Sequence, residues 1–311
     1  MKTFVCTLTP NPALDVGGIV TDLKPNEKSY VQDQTINPGG NAINVARILV
    51  RLGVPVLATG FLGGSIGQEI KSLLDEENVK NEFVKIMGRS RIGVTVSNRK
   101  DHNQTRLTFP GPVIQKKEQQ DLLDLISRKN GVSLLVIGGS FPPGFSSRSI
   151  LHLMKLARDR SIETVVDCPA KILRHAISGH PLLIKPNLIE FQELIGKNVN
   201  SIGAVHAQAK KLLDRVPMIC VSSVEGGAIF VTQNRTYFGC IPKTKIRSTV
   251  GAGDSMVGAM VSQLYQKNRD PGDLLRWGLA AAAATLCKPG TELGSTDRII
   301  HFYEKTKVHL V

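Results

Sequence analysis

Short apolar runs bounded by polar or glycine-rich breaks recur along the chain at 2–9, 54–61, 132–137, 163–167, 182–184 and 217–222. Each is short enough to read as a strand. Between them the apolar positions fall at helical spacing, in 41–53, 67–79, 116–129, 147–160 and from Gly253 onward. In the last of these, Val257, Met260, Val261 and Leu264 share one face, the pattern of a helix packed on a core. Strands alternating with amphipathic helices predict βαβ units and a mostly parallel sheet, the α/β class. Two segments break the rhythm, 14–36 and 83–109. In the second, "FVKIMG", "RIGVTVSNR" and "QTRLTF" read as short strands joined by the polar turn "KDHN", an antiparallel flap. Residues 1–311 are therefore expected to form one α/β domain carrying a small β lid built from about 14–36 and 83–109. Such a lid would cover the crevice at the carboxyl ends of the strands, where open α/β sheets bind ligands.

A chain of 311 residues that is 41% apolar buries a sizeable core, so charge says more about partners than about folding. The net charge of +13 fits nucleic acid, an anionic membrane surface or a small anionic ligand. Aromatics are 5% of the residues and no nucleic-acid module is visible, so no nucleic-acid partner is expected. The longest apolar stretch, "LAAAAATLC", falls well short of the roughly 18 residues that suggest a membrane span. Much of the positive charge lies in the flap, where Lys85, Arg89, Arg91, Arg99, Lys100 and Arg106 face only Asp101. That charge also suits an edge strand protected from aggregation. The five cysteines have no CxxC spacing and several sit in strand-like runs, which suggests reduced buried thiols. The opening "MKTFVCTLTPNP" lacks the length of a signal peptide, and a cytoplasmic protein is expected.

The glycines carry the chemistry. Neither a GxxxxGK[ST] loop nor a GxGxxG helix start follows the first strand, so a phosphate site must be built another way. In "TVGAGDS" (249–255), Gly251 and Gly253 open backbone conformations closed to other residues, just before a helix whose first N–H groups lack partners. Asp254 there reads either as a carboxylate complementing the helix dipole or as a base that takes a hydroxyl proton while the cradle holds developing negative charge. In "IKPNLIEFQELIG" (184–196), Asn187 and Glu190 stand three apart, as a capping box or as a hard-oxygen pair for hydrated Mg²⁺ between phosphates. In "TPNPALD" and "NPGGNAINVAR", Asp15 suits sugar hydroxyls, Gly39 and Gly40 permit close backbone approach, and Asn44 adds an amide. Turn or cap roles serve each of these residues equally well.

In order along the chain, "TLTPNPALD", "PGGNAINVAR", "GRSRIGVTV", "GSFPPG", "IKPNLIEF" and "STVGAGDSMVGAM" resemble the ribokinase superfamily, in its phosphofructokinase-like branch of sugar-phosphate kinases. The resemblance implies a three-layer sandwich with a central mostly parallel sheet and a β lid that pairs with a second subunit's lid as a homodimer. It implies an ATP-dependent, Mg²⁺-dependent enzyme, with K⁺ as an optional further ion. Asp254 would be the base and the amides of Gly251, Ala252 and Gly253 the anion hole. Asp15, Gly39, Gly40 and Asn44 would hold the sugar. Lys28, Ser140 and Arg91, the last from the neighbouring subunit's lid, would meet its phosphate. Lys185, Asn187, Glu190, Ser222 and Gly227 would serve the nucleotide, with Asn187 and Glu190 reaching the metal through water and phosphate.

One departure falls in the nucleotide loop, where the family's S-x-G-x-x-G stands here as "SSVEGG", with Val224 for the first glycine and a displaced backbone expected. A second feature bears on substrate. Relatives acting on fructose 1-phosphate or tagatose 6-phosphate carry Lys where this chain has Asn41, whereas "PGG" with a neutral residue resembles the 6-phosphofructokinases. The expected reaction is phosphorylation of fructose 6-phosphate at its 1-hydroxyl, with 1-phosphofructokinase and tagatose-6-phosphate kinase as alternatives. A non-catalytic sugar-phosphate or nucleic-acid binding protein is the rival of another class.

Overall fold

The computed structural model of the chain describes residues 3–101 and 103–311. The first residue of the strand predicted at 2–9 and His102 of the "KDHN" turn lie outside them. The chain opens with β1 (Phe4–Thr9), β2 (Ala13–Val20), β3 (Gln32–Gly39), α1 (Asn41–Arg51), β4 (Val56–Leu62), α2 (Gly64–Glu76), β5 (Val84–Lys85), β6 (Arg91–Asn98) and β7 (Gln104–Thr108). A run of alternating elements follows: α3 (Lys116–Ser127), β8 (Val132–Gly138), α4 (Ser147–Asp159), β9 (Glu163–Asp167), α5 (Ala170–Ala176), β10 (Leu183–Ile184), α6 (Leu188–Ile195) and α7 (Ile202–Ala209). The last third holds β11 (Met218–Val224), β12 (Gly227–Val231), β13 (Thr236–Cys240), α8 (Ala252–Tyr265), α9 (Pro271–Leu286), α10 (Thr296–Lys305) and β14 (Val308–Leu310).

Ten strands form one sheet in the order β14-β13-β12-β11-β10-β9-β8-β1-β4-β5, parallel from β5 to β11. The physical basis is legible in β8. Leu134 and Val136 point into one core with Ile43 of α1, Val257 of α8 and Leu274 of α9. Leu135 and Ile137 point into the other core with Leu122 of α3, Ile150 of α4 and Phe191 of α6. A strand buried on both faces has no polar alternation to show, hence the continuous apolar runs in the sequence. The result is helix, sheet, helix in three layers, the expected α/β architecture.

Three features differ from the sequence expectation. Val84–Lys85, expected in the flap, instead pairs with β4 at the edge of the large sheet. The small sheet runs β3-β2-β6-β7 and is not purely antiparallel, because β2 pairs with β6 in parallel along its whole length. The long connection from β2 to β6, through β3, α1, β4 and α2, allows this pairing, since parallel strands need a crossover. Finally, β12, β13 and β14 add an antiparallel end to the large sheet that helical periods gave no reason to expect.

Strand order reverses at β1, which has β4 on one side and β8 on the other. In an open α/β sheet the crevice outside such a reversal is the ligand position, and here the small sheet stands beside it.

Candidate active site

The sheet's carboxyl ends deliver side chains one after another to a single cavity of about 750 Å³. Ser140 follows β8, Asp167 ends β9, Lys185 follows β10 and Ser222 lies near the end of β11, all lining it. The small sheet contributes Asp15, Arg91, Gly93 and Arg106 from the opposite side.

Two helices aim their N-termini at this space, and neither is closed by a side-chain cap. The α1 N-cap, Gly40, has φ 120, and a Cβ there would lie 2.6 Å from the Thr9 side chain. Gly251, the α8 N-cap, has φ 77, a left-handed conformation that glycine adopts without penalty. The first-turn N–H groups of Ala252, Gly253 and Asp254 have no intrahelical acceptor. A Cβ on Gly253 would stand 3.3 Å from the Lys185 ammonium, so glycine brings a cation to the back of the cradle. Both glycines of "GAGD" thus have a structural reason, and together they make an anion site.

Asp254 is half-buried in that first turn, but its carboxylate does not fold back to cap the helix. Its Oδ2 accepts a 2.7 Å hydrogen bond from the Asn44 amide of α1. Burial pushes its pKa up to about 7, with the negative charge of Asp167 adding to the rise. The Asn44 hydrogen bond and the cations of Lys185 and Arg106 oppose it. A carboxylate tuned near neutrality beside an anion cradle is poised to accept a hydroxyl proton. Asp167, not singled out from sequence, forms a buried 3.2 Å ion pair with Lys185 and also accepts from Asn41 at 3.4 Å. Its signal was available, an acidic residue at the carboxyl end of a buried parallel strand.

Asn187 and Glu190 satisfy both readings of their spacing. The capping box forms, with Asn187 Oδ1 accepting from the Glu190 N–H and Glu190 Oε2 accepting from the Asn187 N–H, each at 2.9 Å. Both residues also line the cavity, and Glu190 Oε1 carries no hydrogen bond from the described residues. Burial raises the Glu190 pKa, and Asp167 adds to the rise. Glu190 and Asp167 thus bring two carboxylates to the side of one lysine, hard anionic oxygens that fit Mg²⁺. Among the described residues no three His, Cys, Asp or Glu side chains cluster closely enough to chelate an ion by themselves. A metal here would complete its shell with phosphate and water.

On the opposite side, the Asp15 carboxylate occupies a slot between two glycines of neighbouring strands. A Cβ on Gly39 would come within 2.2 Å of it and one on Gly93 within 2.5 Å. Gly39 thus makes room for Asp15 rather than lining the cavity itself. Burial raises the Asp15 pKa to about 6 against the pull of Arg91, Arg106 and Arg47. The Arg91 guanidinium donates to the Asn11 carbonyl of its own chain at 3.1 and 3.2 Å, and Arg91 lines its own chain's cavity. The cause is the parallel β2–β6 register, which sets Arg91 opposite Ala13 at the cavity mouth. Ser140 accepts from the Asn11 amide at 3.1 Å. Lys28 is not brought to the cavity; it is exposed in the loop between β2 and β3. Sequence reasoning missed Gly93 and Arg106, which strand pairing brings to the cavity, and Asn11, whose loop between β1 and β2 holds Ser140 and Arg91.

The departure at Val224 appears as a β-bulge. Between Ser222 and Val224 the β11–β12 register shifts, Ser223 takes φ 62, and the Val224 side chain is buried in the core. Ser222, Ser223 and Gly227 still face the cavity, next to an apolar wall of Ile241, Leu279, Ala282 and Leu286.

The description "pfkB family carbohydrate kinase" matches residues 13–298. The chain is 32% identical over 296 residues to the ATP-dependent 6-phosphofructokinase isozyme 2 of Escherichia coli, covering 94% of this chain and 96% of that relative. It is 29% identical over 306 residues to the 1-phosphofructokinase of Bacillus subtilis, covering 98% and 99%. The crystal structure of Escherichia coli phosphofructokinase-2 with substrates and products superposes with a TM-score of 0.92 at 31% identity, covering 97% of this chain and 99% of that one. The same enzyme has been solved with potassium and as a tetrameric inhibited form. An anion cradle at a helix start, a carboxylate tuned toward neutrality beside it and a lid across the crevice thus occur in a chain that belongs to the pfkB family of carbohydrate kinases.

Proposed function

We propose that the chain is an ATP-dependent 6-phosphofructokinase, transferring a phosphoryl group to the 1-hydroxyl of fructose 6-phosphate. The observation that carries this reading is Asp254, a carboxylate raised toward neutrality, set in the first turn of a helix whose free N–H groups and Lys185 face the same space. In the proposed step Asp254 takes the hydroxyl proton as that oxygen attacks the γ-phosphorus of ATP, the bond from that phosphorus to the β,γ-bridging oxygen breaks, and ADP leaves. Charge on the transferring group rests on the amides of residues 251–253 and on Lys185. Mg²⁺, held through phosphate and water by Asn187 and Glu190 with Asp167 nearby, would neutralise phosphate charge when bound. Ser222, Ser223 and Gly227 with the apolar wall of Ile241 and Leu279 suit the nucleoside. Potassium is proposed as an accessory ion from the potassium complex of the Escherichia coli relative alone.

On the sugar side, Asp15 and Asn44 suit hydroxyls, while Arg91, Arg106 and Ser140 suit a phosphate at the lid end of the cavity. The substrate choice follows from charge placement. Asn41 is neutral and turned to Asp167, so the deep end of the cavity offers no extra cation to a second phosphate position. This agrees with the relative at 32% identity named for fructose 6-phosphate, while the 1-phosphofructokinase relative keeps fructose 1-phosphate as the second reading; tagatose 6-phosphate is a third.

The proposed working form is a cytoplasmic homodimer of one α/β unit per chain. Exposed apolar side chains on and beside the small sheet support lid pairing, among them Tyr30, Ile36, Leu107 and Phe109. The test is kcat/KM for fructose 6-phosphate, fructose 1-phosphate and tagatose 6-phosphate at fixed ATP and Mg²⁺. Fructose 6-phosphate is expected to lead by about tenfold or more, a gap near 1.4 kcal/mol; a lead by either other sugar overturns the substrate reading.

A further inference from the structure

Behind the cavity lies a buried cation whose one part so far is to oppose the rise of the Asp15 pKa. Arg47 of α1 is 2% exposed and stands one turn after Asn44. Its Nη1 donates to Asn44 Oδ1 at 3.1 Å and to the Pro38 carbonyl at 3.3 Å, and its Nη2 donates to Asn37 Oδ1 at 3.3 Å. The other edge of the guanidinium clasps Glu77, the residue capping the end of α2, with Nε at 2.9 and 3.0 Å and Nη2 at 2.5 Å. Arg51 holds the same carboxylate at 3.3 Å.

A guanidinium only donates hydrogen bonds, whereas a carboxamide donates from one end and accepts at the other. With Arg47 on one side, Asn44 must turn its oxygen that way, which leaves its NH₂ facing Asp254 Oδ2 at 2.7 Å. The reverse orientation would set a carbonyl against the Asp254 carboxylate and N–H groups against the guanidinium. We propose that Arg47, clasped by Glu77, is a positioning residue that fixes the Asn44 amide with its NH₂ toward Asp254. The proposal rests on the reading of Asp254 as the base only for its kinetic consequence.

The charged groups facing Asp254 are Asp167 at the end of β9, Lys185 after β10 and Arg106 of β7, with Asn44 of α1 as its hydrogen-bond donor. Of these only the Asn44 bond depends on Arg47. Without it the amide is free to flip or swing away, the carboxylate loses a donor, and its protonated form is favoured.

The test uses the full-length enzyme as Arg47→Met and as the double variant Arg47→Met/Glu77→Met, which removes both ends of the ion pair so that Glu77 is not left under-partnered. Carbon-13 NMR of carboxyl-labelled aspartate follows Asp254 in ligand-free protein, its resonance identified by its loss in Asp254→Asn. The expected result is a titration midpoint raised by about one pH unit. With it, kcat falls about tenfold below neutral pH and returns to within about threefold of the parent at pH 9. A folded variant with an unmoved midpoint, or a loss of kcat equal at all pH, would reduce Arg47 to packing and overturn the proposal. A midpoint that moves while the acid limb of kcat does not keeps the constraint on Asp254 and overturns Asp254 as the base.

Discussion

The two walls of the cavity are built from opposite charge. On the large-sheet side Asp254, Asp167 and Glu190 face Lys185. On the small-sheet side Arg91 and Arg106 face Asp15. The anionic wall stands on strand ends and helix starts anchored in buried cores, while the cationic wall stands on strands that are largely half-buried or exposed. The difference teaches a division of labour. On the proposed reading, the wall that would hold a base, a cradle and a divalent cation in register benefits from rigid packing. On the same reading, the wall that would attract a sugar phosphate works through field and can remain open to solvent.

The sharpest way to break this division is at the rigid wall. Asp254→Asn is expected to lower kcat by about 10²–10⁴, with sugar-phosphate KM nearly unchanged, because it removes a proton acceptor and leaves the binding groups in place. Steady-state kinetics checks it, and near-parental kcat would remove the base from this wall. At the open wall the split should reverse. Arg91→Ala is expected to lower kcat/KM for fructose 6-phosphate by about 10²-fold, mostly through KM, since a charge-assisted hydrogen bond of ~1.5–3 kcal/mol is lost. On the reading that Arg91 acts in the cavity it lines in its own chain, mixed dimers of Arg91→Ala and Asp254→Asn subunits should not regain activity beyond that of the two parents. Restored turnover after proven subunit exchange would move Arg91 into the partner's site.

An intermediate effect is expected at the metal. Glu190→Gln keeps the size of the side chain but withdraws an anionic oxygen, so half-maximal activity should need about tenfold more Mg²⁺ and recover at saturation. A Mg²⁺ titration that superposes on the parent's would confine Glu190 to its capping box.

The contrast between the walls also governs how much could be read from the chain. Parallel strands buried on both faces appear as plain apolar runs, and residues just past them, such as Asp254, Asn187 and Ser140, sit in motifs with glycine or proline punctuation. The anionic wall was therefore largely legible; Asp167, which stands in no motif, had only its place at the carboxyl end of a buried strand as a signal. The cationic wall was legible only in part: Asp15 and Arg91 stand in quoted motifs and line the cavity, whereas Arg106 and the slot that Gly39 and Gly93 form for Asp15 depend on strand register across long connections. Register is set by side-chain burial in three dimensions. The bulge that buries Val224 was foreseeable as a displacement but not in form, since it arises from pairing with Ala228 and Gly227.

The smallest expected effect concerns stability, and its sign separates a tuned carboxylate from an ordinary one. Burial beside Asp167 raises the Asp254 pKa to about 7 from the model-compound value of 3.8. Between those two values the folded chain binds a proton that the unfolded chain has released, so the stability contributed by this site falls as pH rises through that window. Above pH 7 the charged, crowded carboxylate is a standing penalty; near pH 4 the penalty is gone. Asp254→Asn removes the titration, so it should raise Tm at pH 8 by about 2–4 °C, and the gain should shrink toward zero at pH 4–5. Differential scanning fluorimetry of both proteins without nucleotide or metal, across pH 4–9, reads the difference directly. A gain of equal size at every pH would mean that the substitution relieves packing rather than charge. A loss at pH 8 would mean that the Asn44 hydrogen bond outweighs the repulsion from Asp167, and the anionic wall would then be held together by its hydrogen bonds instead of strained by its charges.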